Sequence, residues 1–428
     1  MCGIFALFNG TLNPELIKLQ FMKGINRGPE YSFFNKINNG YIGFHRLAIN
    51  GLNENAHQPF NIDGCTLLCN GEIYNYHALY DILFPLVPTT ESDCEVIIHL
   101  YRKFGIEYTL HLLDGVFSFV LIDNREGKMF VARDPYGVRP LFYLKSLHDF
   151  GFASELKQLS YIYSHIKLHY DICSLETFQP GTLLTFTGGG GEWNHCREIQ
   201  YSTTGFLSLY PNISQYEMIL SLVKTKFMES VAKRIVGTTD RPIACLLSGG
   251  LDSSLVASIV KRHVPDLETF SIGLKGSEDL KYAQKVADYL GTKHTSIVVS
   301  EEDFFDAIPR VIRAIESYDT TTVRASVGNY LVAEYIAKHS EAKVIFNGDG
   351  SDELMGGYLY FGAAPNKYEF DAECRRLLND IHYFDVLRSD RCIASHGLEA
   401  RTPFLDRGWV QFYLSIDPAL RYHAGQDK

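Results

Sequence analysis

Two domains of different class are expected from this sequence. An amino-terminal α+β domain on antiparallel sheets spans residues 2–205, and a carboxyl-terminal α/β domain on a parallel sheet spans residues 213–428. Three observations lead there. A chain of 428 residues exceeds what one hydrophobic core usually organises. As far as about Ser202, short strands and turns run with only a few helices between them. Beyond "STTGFLSLYPN", strands and helices alternate one for one, the rhythm of parallel strands with helices on both faces.

The elements follow in order. "MCGIFALF" puts Cys2 directly behind the initiator methionine and ahead of a short apolar strand. "CTLLCNGEIYN", "VFSFVLIDN" and "KMFVARD" read as strands, the last two joined by a hairpin at Asn124–Gly127. "SDCEVIIHLYRKFG" reads as a helix, with Ser92 and Glu95 as a capping box and Gly105 as its stop. "TLLTF" runs into "TGGGGEW", a flexible hairpin tip rather than a phosphate loop, because no helix signal follows. The second half opens with a helix whose apolar positions are Tyr216, Ile219, Leu220, Val223, Phe227 and Val231, capped by Ser214 with Glu217. Then come strand "IACLL", helix "DSSLVASIVKRH", strand "ETFSIGL", helix "DLKYAQKVADYLG", strand "HTSIVVS", further helices and strand "KVIFN".

Composition narrows the function. A formal charge of -10 argues against broad binding to nucleic acid or anionic membranes. No apolar run approaches the roughly 18–20 residues of a membrane helix, and the start does not read as a secretory signal. Nine cysteines without a C-x-x-C pair fit reduced thiols in a cytoplasmic protein, and the fifteen histidines show no zinc spacing.

Two motifs fall at strand ends, where ligands of parallel sheets bind. "LLSGGLDSS" (Leu246–Ser254) stands between a strand and a helix start. Gly249 and Gly250 let the backbone approach an anion, Ser248, Ser253 and Ser254 add hydroxyls, and Asp252 suits a magnesium ion bridging phosphates. "FNGDGSDELMGGY" clusters Asp349, Asp352 and Glu353. Read alone these acids also fit a solvated loop; beside the first motif a magnesium and catalytic role for the cluster is favoured, with Asp352 a candidate for magnesium. No G-x-x-x-x-G-K-[ST] occurs, which disfavours γ-phosphate transfer. At the other end, removal of Met1 would give Cys2 both a thiol and an α-amine of pKa about 7.7–8.0, a nucleophile with its own base.

The residues then carry a resemblance. S-G-G-L-D-S-S looks like the PP-loop of the ATP pyrophosphatases, which split ATP between the α and β phosphates. The C-G-I-F start, R-G-P (Arg27–Pro29), H-R-L and N-G-E-I-Y-N are similar to the class II glutamine amidotransferases. Together, over essentially all 428 residues, the chain resembles the glutamine-hydrolysing asparagine synthetase family.

That resemblance implies a four-layer Ntn-hydrolase-like sandwich followed by a PP-loop domain, with ATP and magnesium as cofactors and glutamine and aspartate as substrates. It implies that Cys2 attacks the glutamine amide, that Asn70 and the N–H of Gly71 form an oxyanion hole, and that Arg46 and Asp93 hold the substrate's α-carboxylate and α-ammonium. Leu47, Ile49, Asn50 and Glu72 would border that pocket. Leu246, Ile272, Asn347 and Gly348 would surround the nucleotide, and Thr321, Thr322 and Arg324 would position aspartate and pyrophosphate. Arg401 and Asp406 belong to a signature expected to be structural. The resemblance also allows a homodimer.

The chain departs from the family pattern in four places. Glu30 follows R-G-P where the family has aspartate. N-G-D-G-S-D-E stands for S-G-E-G-S-D-E, so Asn347 replaces serine and Asp349 replaces glutamate. The ending "HAGQDK" resembles the family's G-x-E-K run, making Lys428 the expected stabiliser of adenylation, and the usual carboxyl-terminal extension is expected to be lacking. Two other readings stand beside synthesis of asparagine: a related amidotransferase acting on another carboxylate, or a glutamine- and ATP-binding protein with an impaired synthetase half.

Overall fold

The structure, a computed structural model, describes residues 1–9, 12–168, 172–188, 192–205, 216–238 and 240–422. It divides into two compact units, Met1–Ser202 with Ala394–Leu398, and Thr203–Ile393 with Glu399–Lys428.

The first unit holds two six-stranded sheets. One runs in the order Cys173–Thr177, Phe142–Ser146, Phe150–Ala153, Gly3–Phe8, Gly40–Arg46, Tyr31–Ile37; the other runs Asn194–Gln200, Thr182–Thr187, Lys128–Arg133, Gly115–Asp123, Cys65–Ile73, Phe60–Ile62. Every neighbouring pair is antiparallel. Side-chain alternation sorts these strands into layers. Ile4, Ala6, Phe8, Ile42, Phe44, Leu68, Val120 and Ile122 meet between the sheets. Phe5 and Leu7 face outward onto the helices Pro14–Phe21 and Ser160–Lys167. Leu67, Cys69, Phe117 and Phe119 face outward onto the helices Tyr76–Leu83, Val96–Phe104 and Ile106–Leu112. The result is the expected four-layer sandwich.

The second unit is built on a parallel sheet ordered Lys293–Val299, Glu268–Leu274, Ile243–Leu246, Val344–Phe346, Glu399–Arg401. Helices cover both faces. Phe270 lies 6.4 Å from Tyr335 of the helix Thr320–His339, while Gly273, of opposite parity, backs onto Leu280 of the helix Glu278–Leu290. The first strand of this unit, Ile243–Leu246, lies between the second and the fourth, so the chain order reverses beside it and opens a crevice at the carboxyl ends.

Two local expectations are corrected. Ser92 caps the amide of Cys94 rather than Glu95, and the Glu95 carboxylate turns away to Thr89 N (2.7 Å), Thr90 N (2.5 Å) and His99 Nε2 (2.9 Å), so no reciprocal box forms. Its place is taken by a short 3-10 turn, Asp93–Glu95, before the helix Val96–Phe104. In the helix Tyr216–Val236, Ile219, Phe227 and Val231 are buried, Phe227 packing on Phe404 at 4.4 Å and Trp409 at 5.1 Å. Tyr216 and Leu220 remain 48% and 44% exposed, since the packed face is narrower than the apolar stripe. Ser214 lies outside the described residues, as does the tip at 189–191 of the hairpin formed by Thr182–Thr187 and Asn194–Gln200.

Candidate functional site

In the first unit, strand parity gathers the sequence's candidates. Cys2 precedes Gly3–Phe8 in phase with Ile4 and Ala6, and it packs against the inter-sheet core. Arg46 shares its face with Ile42 and Phe44, and Asn70 and Glu72 share theirs with Leu68. The pairing of Gly3 with His45 sets Cys2 at the end of the strand that terminates in Arg46, and the Cys2 thiol lies 3.7 Å from the Leu47 carbonyl. Arg27 of the R-G-P motif donates from Nε to the Cys2 carbonyl at 2.9 Å.

The loop after Arg46 is pinned on several sides. The guanidinium donates to the carbonyls of Asn53 (3.0 Å), Asn50 (3.4 Å) and Gly51. Ala48 N donates to Glu30 Oε2 at 2.7 Å, and Asn50 Nδ2 donates to Glu72 Oε2 at 2.7 Å. Leu47 and Ile49 are buried. Asp93, also buried, accepts from Ile73 N at 2.6 Å, which ties it to the end of the strand carrying Asn70 and Gly71. Asn70 stands apart. Its side chain is fully buried, and neither Nδ2 nor Oδ1 has a hydrogen-bond partner among the described residues. Buried carboxamides are ordinarily satisfied, which sets Asn70 apart from its neighbours on this strand.

In the second unit both motifs reach the crevice. Leu246 ends its strand, and the loop Leu247–Gly250 leads into the helix Leu251–Lys261. Gly249 has φ +80°, and a Cβ there would stand 2.5 Å from Ala283 N, so only glycine fits. Ser248 Oγ lies 2.9 Å from Ser253 Oγ and accepts from Gly250 N at 3.3 Å. Ser254 Oγ is buried without a partner among the described residues. Ile272 lies on the neighbouring strand, beside Gly328 of the helix Thr320–His339. Gly348 follows Val344–Phe346, and a Cβ there would stand 3.0 Å from Asp252 Cβ and 3.1 Å from Ser253 N, so the two motifs lie side by side. Thr321, Thr322 and Arg324 form the first turn of Thr320–His339. Thr322 is committed to structure, its N–H and hydroxyl both donating to Asp319 at 2.8 Å. Thr321 and Arg324 are exposed. Arg401 and Asp406 are structural: Arg401 pairs with Glu399 at 2.8 Å, and Asp406 holds Lys233 and Arg234, each at 2.7 Å.

The acid cluster is more tightly built than its sequence suggests. Asp349 Oδ2 accepts from Asn347 Nδ2 at 2.8 Å, and Arg388 reaches Asp349 Oδ1 at 3.4 Å and Asp385 at 3.1 Å. Burial pushes the Asp349 carboxyl up, Arg388 pulls it back, and Asp385 adds to the rise. Burial and then Asp385 lift Glu353 to about 8. Asp352 stands in the first turn of the helix Ser351–Met355. Among the described residues no three His, Cys, Asp or Glu side chains form a metal cage. Magnesium carried by nucleotide phosphates needs only one or two carboxylates, and Asp252 and Asp352, hard oxygen donors on first turns after neighbouring strands, fit that requirement. Lys428 lies outside the described residues.

Two family models match the chain. Residues 1–180 match a glutamine amidotransferase domain, and residues 222–371 and 363–428 match asparagine synthase. The asparagine synthetase (glutamine-hydrolyzing) of Mesocricetus auratus is 41% identical over 449 residues, covering 98% of this chain and 78% of the relative. The chain belongs to the asparagine synthetase family. Its Homo sapiens member is 40% identical over 453 residues, with the same coverage of both chains. Among solved structures, the glutamine PRPP amidotransferase from B. subtilis complexed with ADP and GMP aligns at TM-score 0.37 and 19% identity, over 63% of this chain and 65% of that one. That likeness is too slight to add to the topology above.

Sequence reading missed Arg388, Asp385 and Ser389 in this family member. They lie at i, i+3 and i+4 of the helix Asp385–Ala394, a spacing that puts them on one helical face and that reads equally as a solvated polar stripe.

Proposed function

We propose that the protein makes asparagine from aspartate, glutamine and ATP. The observation that carries this reading is that one chain matches both family halves and aligns over 98% of its length with glutamine-hydrolyzing asparagine synthetases.

In the first unit, Met1 is removed and the Cys2 thiolate attacks the glutamine side-chain carbonyl. Asn70 Nδ2 and the Gly71 N–H hold the oxyanion, whose charge exists only in the transition state. Ammonia leaves, and water hydrolyses the thioester to glutamate. Arg46 and Asp93 hold the substrate's α-carboxylate and α-ammonium, with Leu47, Ile49, Asn50 and Glu72 around them. The Asn70 carboxamide, without a partner among the described residues and facing the same inter-sheet space as Cys2, supports this assignment.

In the second unit, the aspartate β-carboxylate attacks the α-phosphate of ATP and pyrophosphate leaves. Leu246, Ile272, Asn347 and Gly348 surround the nucleotide; Ser248, Gly249, Gly250, Ser253 and Ser254 hold the pyrophosphate through backbone N–H and hydroxyl groups. Thr321 and Arg324 position aspartate and pyrophosphate, Thr322 fixes the turn that presents them through its bonds to Asp319, and Lys428 neutralises charge at the phosphates. Asp252 and Asp352 would hold magnesium, which supplies charge neutralisation to the phosphates. Ammonia attacks the β-aspartyl carbon, Asp349 takes its proton, and AMP departs as asparagine forms. Transfer inside the protein keeps ammonia unprotonated. The reading places the enzyme in the cytoplasm, without nucleic-acid or membrane partners, and allows a homodimer. Among the described residues no helix is long and apolar enough to cross a membrane, and all nine cysteines are free thiols.

The test is product analysis with aspartate, glutamine and ATP. Equal amounts of asparagine, AMP and pyrophosphate are expected. ADP with phosphate, or AMP formed without aspartate, would contradict the reading.

A further inference from the structure

Asn347 has both amide hydrogens committed. Nδ2 donates to Asp349 Oδ2 at 2.8 Å and to Ser389 Oγ at 2.6 Å, and the residue is only 4% exposed. Its side-chain oxygen faces the Asp349 N–H at 3.4 Å, so one carboxamide closes on both the backbone and the carboxylate of Asp349. The other carboxylate oxygen faces Arg388, itself shared with Asp385. The first carboxylate oxygen is therefore fixed by a residue on the strand end and the second by a residue on a separate helix. A side chain so engaged has no donor left for a nucleotide, which leaves Asn347 only its backbone for that purpose.

We propose that Asn347 is the positioning residue of the synthetase centre: with Arg388 opposite, it clamps the Asp349 carboxylate in one orientation toward the crevice. The proposal rests on the assignment of Asp349 as the catalytic carboxylate. It gives physical meaning to two neighbouring departures in N-G-D-G-S-D-E. An aspartate one methylene shorter than glutamate has less reach, and the longer amide two residues earlier fixes where that short arm points. Geometry of this kind matters because a carboxylate displaced by about 1 Å can cost 10²-fold in rate.

The test compares Asn347→Ser, Asp349→Ala and the double variant Asn347→Ser/Asp349→Glu, with free ammonium as nitrogen source and glutamine hydrolysis as the folding control. For Asn347→Ser the account expects kcat for asparagine formation to fall at least tenfold, the KM for ATP to stay within twofold, and glutamine hydrolysis to be unchanged. The double variant, which restores the acid's reach without the clamp, should recover most of the lost kcat. Unchanged kcat in Asn347→Ser, or a raised KM for ATP with normal kcat, would overturn the clamp. Normal turnover in Asp349→Ala would instead overturn the catalytic assignment of Asp349. A readout independent of turnover is the crystal structure of wild type and Asn347→Ser. One Asp349 rotamer on the amide in the wild type and a displaced carboxylate in the variant support the clamp; the same rotamer in both contradicts it.

Discussion

Sealing a carboxamide from water without a partner costs about 1–3 kcal/mol, and Asn70 is held that way on the strand Cys65–Ile73. On the proposed function that cost is offset when the oxyanion forms. Asn70→Ala should therefore lower kcat for glutamine hydrolysis by about 10²–10³ while leaving the KM for glutamine within a few-fold. A merely structural asparagine would give the opposite result, a lowered melting point with near-normal turnover. His45 makes a different prediction. Its ring stacks on Phe21 at 3.9 Å between Ser32 Oγ (2.7 Å) and the Phe21 carbonyl (3.0 Å). Burial holds its pKa down at about 4, with the Phe21 carbonyl opposing. Because the folded state binds the proton less well than the unfolded chain, stability is fully present above about pH 6.5 and is lost as pH falls toward 4. That loss is on the order of 3 kcal/mol at pH 4. Urea unfolding followed from pH 7 to 4.5 should show that slope in the wild type and a flatter one in His45→Phe.

At the scale of elements, the loop between Ile243–Leu246 and Leu251–Lys261 depends on a backbone that only glycine adopts comfortably. Gly249→Ala would meet Ala283 N at 2.5 Å at φ +80°. The penalty is about 2 kcal/mol or more, and isothermal titration should show weakened ATP binding while glutamine hydrolysis stays normal. Strands and helices of this kind were legible from pattern because 2.0 and 3.6 periods survive in sequence. The layer each face joins was not. In Leu67, Leu68 and Cys69, both faces are buried in opposite cores, so apolar character is continuous and carries no phase. The Ser92 box failed for a related reason: Glu95 found stronger partners in Thr89, Thr90 and His99, and these hydrogen bonds overcome burial to hold its carboxyl at about 2.

For the whole molecule, each half of the candidate chemistry was legible where a motif is contiguous, as in "LLSGGLDSS", and illegible where the fold assembles it. Asp349 meets Arg388 across 39 residues, and no local pattern announces that pairing. On the proposed function, two activities are joined by one nitrogen atom, released from glutamine at Cys2. The most direct measurement is asparagine formation by Cys2→Ala with glutamine and, separately, with ammonium. The account predicts loss of the glutamine-dependent reaction and retention of the ammonium-dependent one at near wild-type kcat. Continued synthesis from glutamine in that variant would contradict it.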